Sequence, residues 1–182
     1  MRQTIVAVMS LPPILQTPRL VLRALRAADA APMAILANDF DIARMTTSIP
    51  HPFTLSHAED FIARMEAGDP ARDLVFAIDH RREGLIGVVG FHHREGPAPE
   101  IGYWLGRPFW GQGHMSEAVA ASMGWVRADW RKRMVISGHF ADNPASGQIL
   151  IKAGFLYTGE VIGRFSVARG EETPTRMMVW LG

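Results

Sequence analysis

The chain has 182 residues, 48% hydrophobic and 20% charged, which excludes a disordered or collagen-like polymer and suits a domain burying about 70% of its unfolded surface. It has no cysteine, so disulfides, thiolate nucleophiles, iron–sulfur ligation and cysteine zinc sites are out. Nineteen basic residues, all but Lys132 and Lys152 arginine, against eighteen acidic ones leave a formal charge of +1, without a nucleic-acid binder's basic surplus.

No apolar run approaches the ~20 residues that cross a bilayer. Ile5-Val6-Ala7-Val8-Met9 follows an arginine, but at five residues, stopped by Pro12-Pro13, it is too short for a signal-peptide core. The expectation is a cytoplasmic protein with a loose leader over residues 1–14 and a single domain over 15–182.

Leu20 to Leu25 alternates as a first strand. Alanine-rich Ala27 to Asn38 reads as a helix with Asp29 in its first turn. Ile49-Pro50-His51-Pro52 interrupts regular structure, because each proline lacks a donor and restricts the residue before it. Ser56-His57-Ala58-Glu59 has capping-box spacing and opens a helix carrying Ala58, Phe61, Ile62 and Met65. Strands are predicted at Leu74–Ile78 and Leu85–Phe91, joined by a polar connector with hairpin chemistry, and then at Glu100–Leu105. Gly113 to Trp130 has helical spacing, Met134–Phe140 is a strand, and Ala145 to Ala153 is a short helix ended by Gly154. Two closing strands, about 155–166 and 176–181, bracket a polar turn. This order describes a mixed α/β sheet flanked by helices.

Pro108-Phe109-Trp110-Gly111-Gln112-Gly113-His114-Met115-Ser116-Glu117-Ala118 lies between a strand and a helix. Its glycines let the backbone approach a ligand, and a helix N-terminus offers unpaired N–H groups to a diphosphate. It lacks the Gly-Lys-Ser/Thr of a Walker loop and the third glycine of a dinucleotide fingerprint, and a glycine pair alone also suits an ordinary helix start. The later stretch Asp142 to Phe155 follows the next strand, with Asn143 placed to cap a helix and Ser146 one turn on.

Together these stretches resemble the GNAT acyl-CoA-dependent N-acetyltransferases, and within them the ribosomal-protein N-terminal, RimJ/RimL-like branch. The resemblance rests on Trp110-Gly111-Gln112-Gly113 with Glu117-Ala118, and on Asn143, Ser146, Lys152, Gly154 and Phe155. Thr17 to Arg23, Ile49 to Phe53 with Ala58 to Phe61, and Glu100 to Leu105 extend it over roughly 15–181. Trp110 stands where the wider family has Arg or Gln, and Met115 where it prefers Gly or Ala. The resemblance implies a mixed, mostly antiparallel central sheet of about seven strands flanked by about four helices.

It also implies acetyl-CoA as co-substrate, held by Trp104, Leu105, Trp110, Gln112, Gly113, His114, Met115, Ser116, Asn143 and Ser146. Amine attack on a thioester needs a neutral amine, a held carbonyl and a proton for the departing sulfur. An alkylamine titrates near 10.4 and an α-amine near 7.7–8.0, so an α-amine needs less help. Candidate bases, acting through water, are Glu100, His92 or His93, and Glu160. The resemblance places Ser146 as general acid, with Tyr103 as fallback, and a backbone N–H near Tyr103 or Trp104 as oxyanion donor.

His51, His57, His80 and His139 show no metal-ligand spacing, and the chemistry needs no metal. The resemblance implies a primary amine as acceptor, either a protein N-terminus or a small molecule. In this fold its pocket would draw on Met33, Asp39, Arg44, Met45, His51, Phe53, Arg164 and Phe165. Neither nucleic acid nor membrane is expected as a partner, and a homodimer through the last strands is. The competing class is a non-catalytic acyl-CoA-binding or sensing module that kept the turn and lost the chemistry.

Overall fold

The computed structural model describes residues 12–70, 72–93, 96 and 98–182; residues 1–11 of the expected leader lie outside them. In chain order the strands are β1 Leu15–Gln16, β2 Leu20–Arg23, β3 Asp73–His80, β4 Gly84–His92, β5 Glu100–Leu105, β6 Met134–Phe140, β7 Leu156–Ser166 and β8 Glu171–Leu181. The helices are α1 Ala30–Ala37, α2 Phe40–Ala43, α3 Leu55–Ala67, α4 His114–Trp125 and α5 Pro144–Lys152. The eight strands form one sheet in the order β1-β2-β3-β4-β5-β6-β8-β7, antiparallel at every neighbouring pair except β5 and β6.

The mixed, mostly antiparallel sheet is the one expected, with eight strands and five helices among the described residues rather than about seven and four. The additions are short. β1 is two residues pairing with β2, and α2 is one turn capped by Asp39, which accepts from Asp41 N at 2.8 Å. The last strand is longer than expected, starting at Glu171.

Two local readings change. The cap of α3 is Thr54, not Ser56: Thr54 Oγ1 accepts from His57 N at 3.4 Å and His57 Nδ1 accepts from Thr54 N at 3.1 Å, so His57 takes the part expected of Glu59. Buried Phe53 just before the cap and Ala58 four residues past it share one apolar cluster, which fixes how the chain turns into the helix. The helix expected through Trp130 is α-helical only to Trp125 and continues as a π turn, Val126–Trp130. Residues five apart sit about 140° apart around an α-helix but align in a π turn. That alignment stacks Trp130 on Trp125 at 5.4 Å and turns its edge to Phe91.

The sheet separates two apolar layers. On one face Leu20, Leu22, Phe76, Val89, Phe91 and Ile101 pack under α4 and α5. On the other Val75, Ala77 and Val88 pack under α1 and α3. Alternation along each strand sends successive side chains to opposite layers, so every strand crossing the middle serves both.

Candidate active site

β5 and β6 are parallel and register at a single pair, Glu100 opposite Ile136. Ile136 N donates to Pro99 O at 2.9 Å and Ser137 Oγ to Ile101 O at 3.1 Å; beyond these the two strands part and leave a wedge. Pro99 and Ile101 thus turn their carbonyls to β6, whereas Gly106 N donates back to Ile86 of β4 at 2.9 Å. Backbone groups of successive strand residues face opposite neighbours, so Tyr103 and Leu105 present theirs to the wedge. Trp104 presents its own to β4, and its indole packs on the α1/α3 layer. Of the two residues expected to offer an oxyanion donor, only Tyr103 turns its N–H to the wedge.

The glycine turn closes the end of the wedge. Trp110 Nε1 donates to Leu105 O at 2.6 Å, tying the turn to the strand, and the Arg107 guanidinium lies over its ring at 5.1 Å. Gly111 and Gly113 have φ of +72° and +78°, a backbone that side chains bearing a Cβ rarely adopt. Gly113 caps α4, so the N–H groups of His114, Met115 and Ser116 are first-turn donors without helical acceptors. The Gln112 side chain donates to Pro108 O at 2.9 Å, leaving its backbone to the turn. Met115 is 5% exposed and packs in the core cluster, so its bulk does not reach the turn's outer surface.

Arg19 is a neighbour of this turn that sequence reasoning missed. Its Nη1 donates to Gln112 O at 2.8 Å, and Nη2 lies 3.5 Å from where a Cβ on Gly113 would stand. Glu117 holds it, accepting from Arg19 Nε at 2.6 Å, Arg19 N at 3.0 Å and Thr17 Oγ1 at 2.6 Å. Burial works to raise the Glu117 carboxyl, but these bonds outweigh it and hold the group below the usual range. The His114 imidazole is buried edge-on to His80 at 5.2 Å, with no partner for Nδ1. Burial, then the nearby Arg19 and His80, push it below the ordinary histidine value, so it is neutral at pH 7.

Ser146 and Tyr103 meet on the other bank of the wedge. Asn143 caps α5 by accepting from Ser146 N at 3.3 Å, which turns the serine toward β5. The Tyr103 hydroxyl is 2.9 Å from Ser146 Oγ and 3.0 Å from Ser146 O. Since only the hydroxyl can donate to that carbonyl, Tyr103 donates there and Ser146 Oγ–H remains a donor. Burial pushes the Tyr103 phenol well above its ordinary value, so it keeps its proton and orients the serine.

The α1/α3 face of the wedge is assembled from distant segments. Asp73, His92 and Glu100 stand opposite one another across β3, β4 and β5. His92 Nδ1 is 2.9 Å from Asp73 Oδ1, and Glu100, 9% exposed, is ion-paired with Arg164 of β7. His93 also lines the cleft, but its Nδ1 is 2.8 Å from Arg72 O and its ring stands edge to face with Trp130, whereas Glu160 is exposed on β7 away from the cleft. Next to the row lie Gly90 and Gly102, paired side by side. A Cβ on Gly102 would meet nothing within 4 Å, so a trough is open there, bordered over Gly90 by Val75 Cγ2 and His92 Nε2.

Residues 44–47 roof the trough by bonding to the β7–β8 turn: Arg169 Nε donates to Arg44 O at 2.6 Å, Ser166 Oγ to Thr46 O at 3.0 Å and Val167 N to Thr47 O at 3.2 Å. The whole cleft measures about 1950 Å³ and joins the glycine turn and Ser146 to this face. Of the expected acceptor residues, Met33, Arg44, Met45, Phe53 and Arg164 line it. Asp39, His51 and Phe165 do not; Asp39 instead pairs with Arg107 at 2.6 Å. Among the described residues no three His, Asp or Glu side chains gather as metal ligands, and no helix is long and apolar enough to cross a membrane.

Splayed parallel strands, a glycine turn opening a helix and a hydroxyl pair across the gap define a class. The acetyltransferase (GNAT) domain family matches residues 19–156, and the chain belongs to this family of N-acetyltransferases. It is 30% identical over 155 residues to the uncharacterized N-acetyltransferase YoaA of Bacillus subtilis (strain 168), covering 81% of this chain and 85% of that one. It is 33% identical over 81 residues to the ribosomal-protein-serine acetyltransferase of Escherichia coli (strain K12), which spans 43% of this chain and less than half, 45%, of that enzyme. Its fold matches Mycobacterium smegmatis RimJ, solved in complex with CoA-disulfide, with a TM-score of 0.82, 18% identity and coverage of 95% and 89%.

Proposed function

We propose that residues 15–182 act as one cytoplasmic domain that moves an acetyl group from acetyl-CoA to a primary amine by direct attack in a ternary complex. The observation that carries this reading is the wedge: Tyr103 N–H and Ser146 Oγ–H face it from opposite banks, beside the first-turn donors of α4. In this reading the diphosphate rests on His114, Met115 and Ser116 N–H, with Arg19 beside it. The thioester carbonyl takes the Tyr103 N–H, and the acceptor comes over Gly102 from the roofed face, where Glu100 draws in its ammonium. Once the ammonium has given one proton to a base, the free amine's nitrogen–carbon bond forms as the carbon–sulfur bond breaks. Ser146 gives its proton to sulfur and regains one from the nitrogen as the amide forms.

The CoA-disulfide in the RimJ structure and the ribosomal-protein substrate of the E. coli relative support coenzyme A and a protein N-terminus as first choices to test. The test is acetyl-CoA-dependent thiol release with N-terminal peptides and small amines as acceptors. Release with at least one amine is expected. Tight acetyl-CoA binding without release to any of them would leave the non-catalytic acyl-CoA module as the correct reading.

A further inference from the structure

We propose that His92 takes the proton from the acceptor's ammonium and that Asp73 is its positioning residue; the inference rests on the acetyl-transfer reading above. A carboxylate can only accept, so the 2.9 Å contact with Asp73 Oδ1 puts the ring proton of His92 on Nδ1 and leaves Nε2 as the acceptor. The ring's direction follows from Gly90: a Cβ there would stand 3.1 Å from His92 Nε2, so this nitrogen lies over Gly90 on the α1/α3 face. Among the described residues nothing bonds it. Gly90 pairs with Gly102, so Nε2 reaches the open trough one strand spacing, about 4.8 Å, from β5, where the Tyr103 N–H turns into the wedge.

Glu100, one strand further along the same row, is committed through Oε1 to Arg164 and is 9% exposed. The His92 side chain is 29% exposed, so a proton received there passes on to water. The two groups thus divide the work: Glu100 attracts the cation, and His92 removes its proton. The charged or titratable groups facing His92 are Asp73 of β3, Glu100 of β5 and Arg164 of β7, with His57, Asp60 and Arg64 of α3 lining the same cleft. In balance, the ammonium loses one proton to Nε2, the ring passes it to solvent, and the free amine attacks.

The test compares the full chain with H92Q, D73N and E100Q, measuring acetyl-CoA dissociation constant, acceptor KM and kcat from pH 6 to 9.5. H92Q should lower kcat about 10²–10⁴-fold near neutral pH with acetyl-CoA binding unchanged, and the deficit should shrink as pH rises and free amine becomes abundant. E100Q should mainly raise acceptor KM. In ¹⁵N spectra the parent's neutral His92 should carry its proton on Nδ1, and D73N should mix the two tautomers. An H92Q kcat within threefold of the parent, a deficit independent of pH, or a parent ring protonated on Nε2 each overturns the proposal while leaving acetyl transfer standing. If H92Q does not fold, the tautomer in the parent decides. A parent that binds acetyl-CoA but acetylates no amine removes the acetyl-transfer reading and this inference with it.

Discussion

The two faces of the wedge are built differently. On the α4/α5 side the recognition groups are mostly backbone donors and come from two short stretches, residues 103–116 and 143–152. On the α1/α3 side they are side chains gathered from α3, β3, β4, β5, β7 and the roof at 44–47. A backbone cradle tolerates changes of side chain but not of φ. A side-chain trough is the reverse: it tolerates backbone neighbours and is altered by any Cβ placed in it. In the proposed reading, acyl-donor recognition therefore rests on local chain geometry and acceptor choice on packing over long sequence separations.

Ser146→Ala cuts most sharply between the two. A lost general acid should lower kcat on the order of 10²-fold while the acetyl-CoA dissociation constant stays within about threefold. If Ser146 only supports the start of α5, turnover will persist and the change will appear in thermal melting instead.

A pair of glycine substitutions tests the contrast between backbone and side-chain recognition. Gly113→Val forces a β-branched residue to φ +78° at the cap of α4, beside Arg19. The strain is about 1–2 kcal/mol, and calorimetry should show acetyl-CoA binding weakened at least about tenfold. Gly102→Val adds a side chain in a strand where nothing stands within 4 Å, so stability and acetyl-CoA binding should hold while transfer to amines falls about tenfold or more. Equal loss of acetyl-CoA affinity in both would merge the two faces into one site.

Arg19→Ala should have a smaller effect, about three- to tenfold weaker acetyl-CoA binding with kcat unchanged, because one exposed guanidinium is lost from beside a backbone cradle. Salt titration of the parent and the variant checks this, since the difference should shrink as ionic strength rises.

The smallest expected effect concerns His114. Its value is depressed in the fold, so the unfolded chain binds more protons, and stability should fall as pH drops through about 6.5 toward the depressed value. His114→Gln should flatten that acid limb in melting temperature. Parallel limbs in parent and variant would show that the ring is not buried neutral.

How far the sequence could be read follows the same division. The glycine turn, the Asn143 cap and the order of strands are local signals, and each has its expected place. The acceptor row was only half visible. His92 and Glu100 stood out as strand-end residues, but Asp73 carries no local cue, and its role exists only because β3 pairs with β4 in the register that sets it opposite His92. Gly90 and Gly102 had a usable signal, since a glycine inside a strand pattern often marks a close backbone or ligand approach. Arg19 precedes the first strand expected from the sequence and carries no local cue; what brings it to the turn is the long-range bond to Glu117. The cap of α3 was misplaced by two residues because Ser56 and Glu59 match a capping box that Phe53 packing overrides. The π turn after Trp125 reflects ring stacking, which periodicity cannot register.

The most direct test of the wedge as the acyl-donor seat is an acetyl-CoA titration of the ¹⁵N-labelled protein, followed at individual amides. The expected result is saturable movement of the Tyr103, His114, Met115 and Ser116 amides with one dissociation constant, while the Trp104 amide, bonded to β4, shifts little. Saturable binding that leaves Tyr103 and the first turn of α4 unmoved would contradict it.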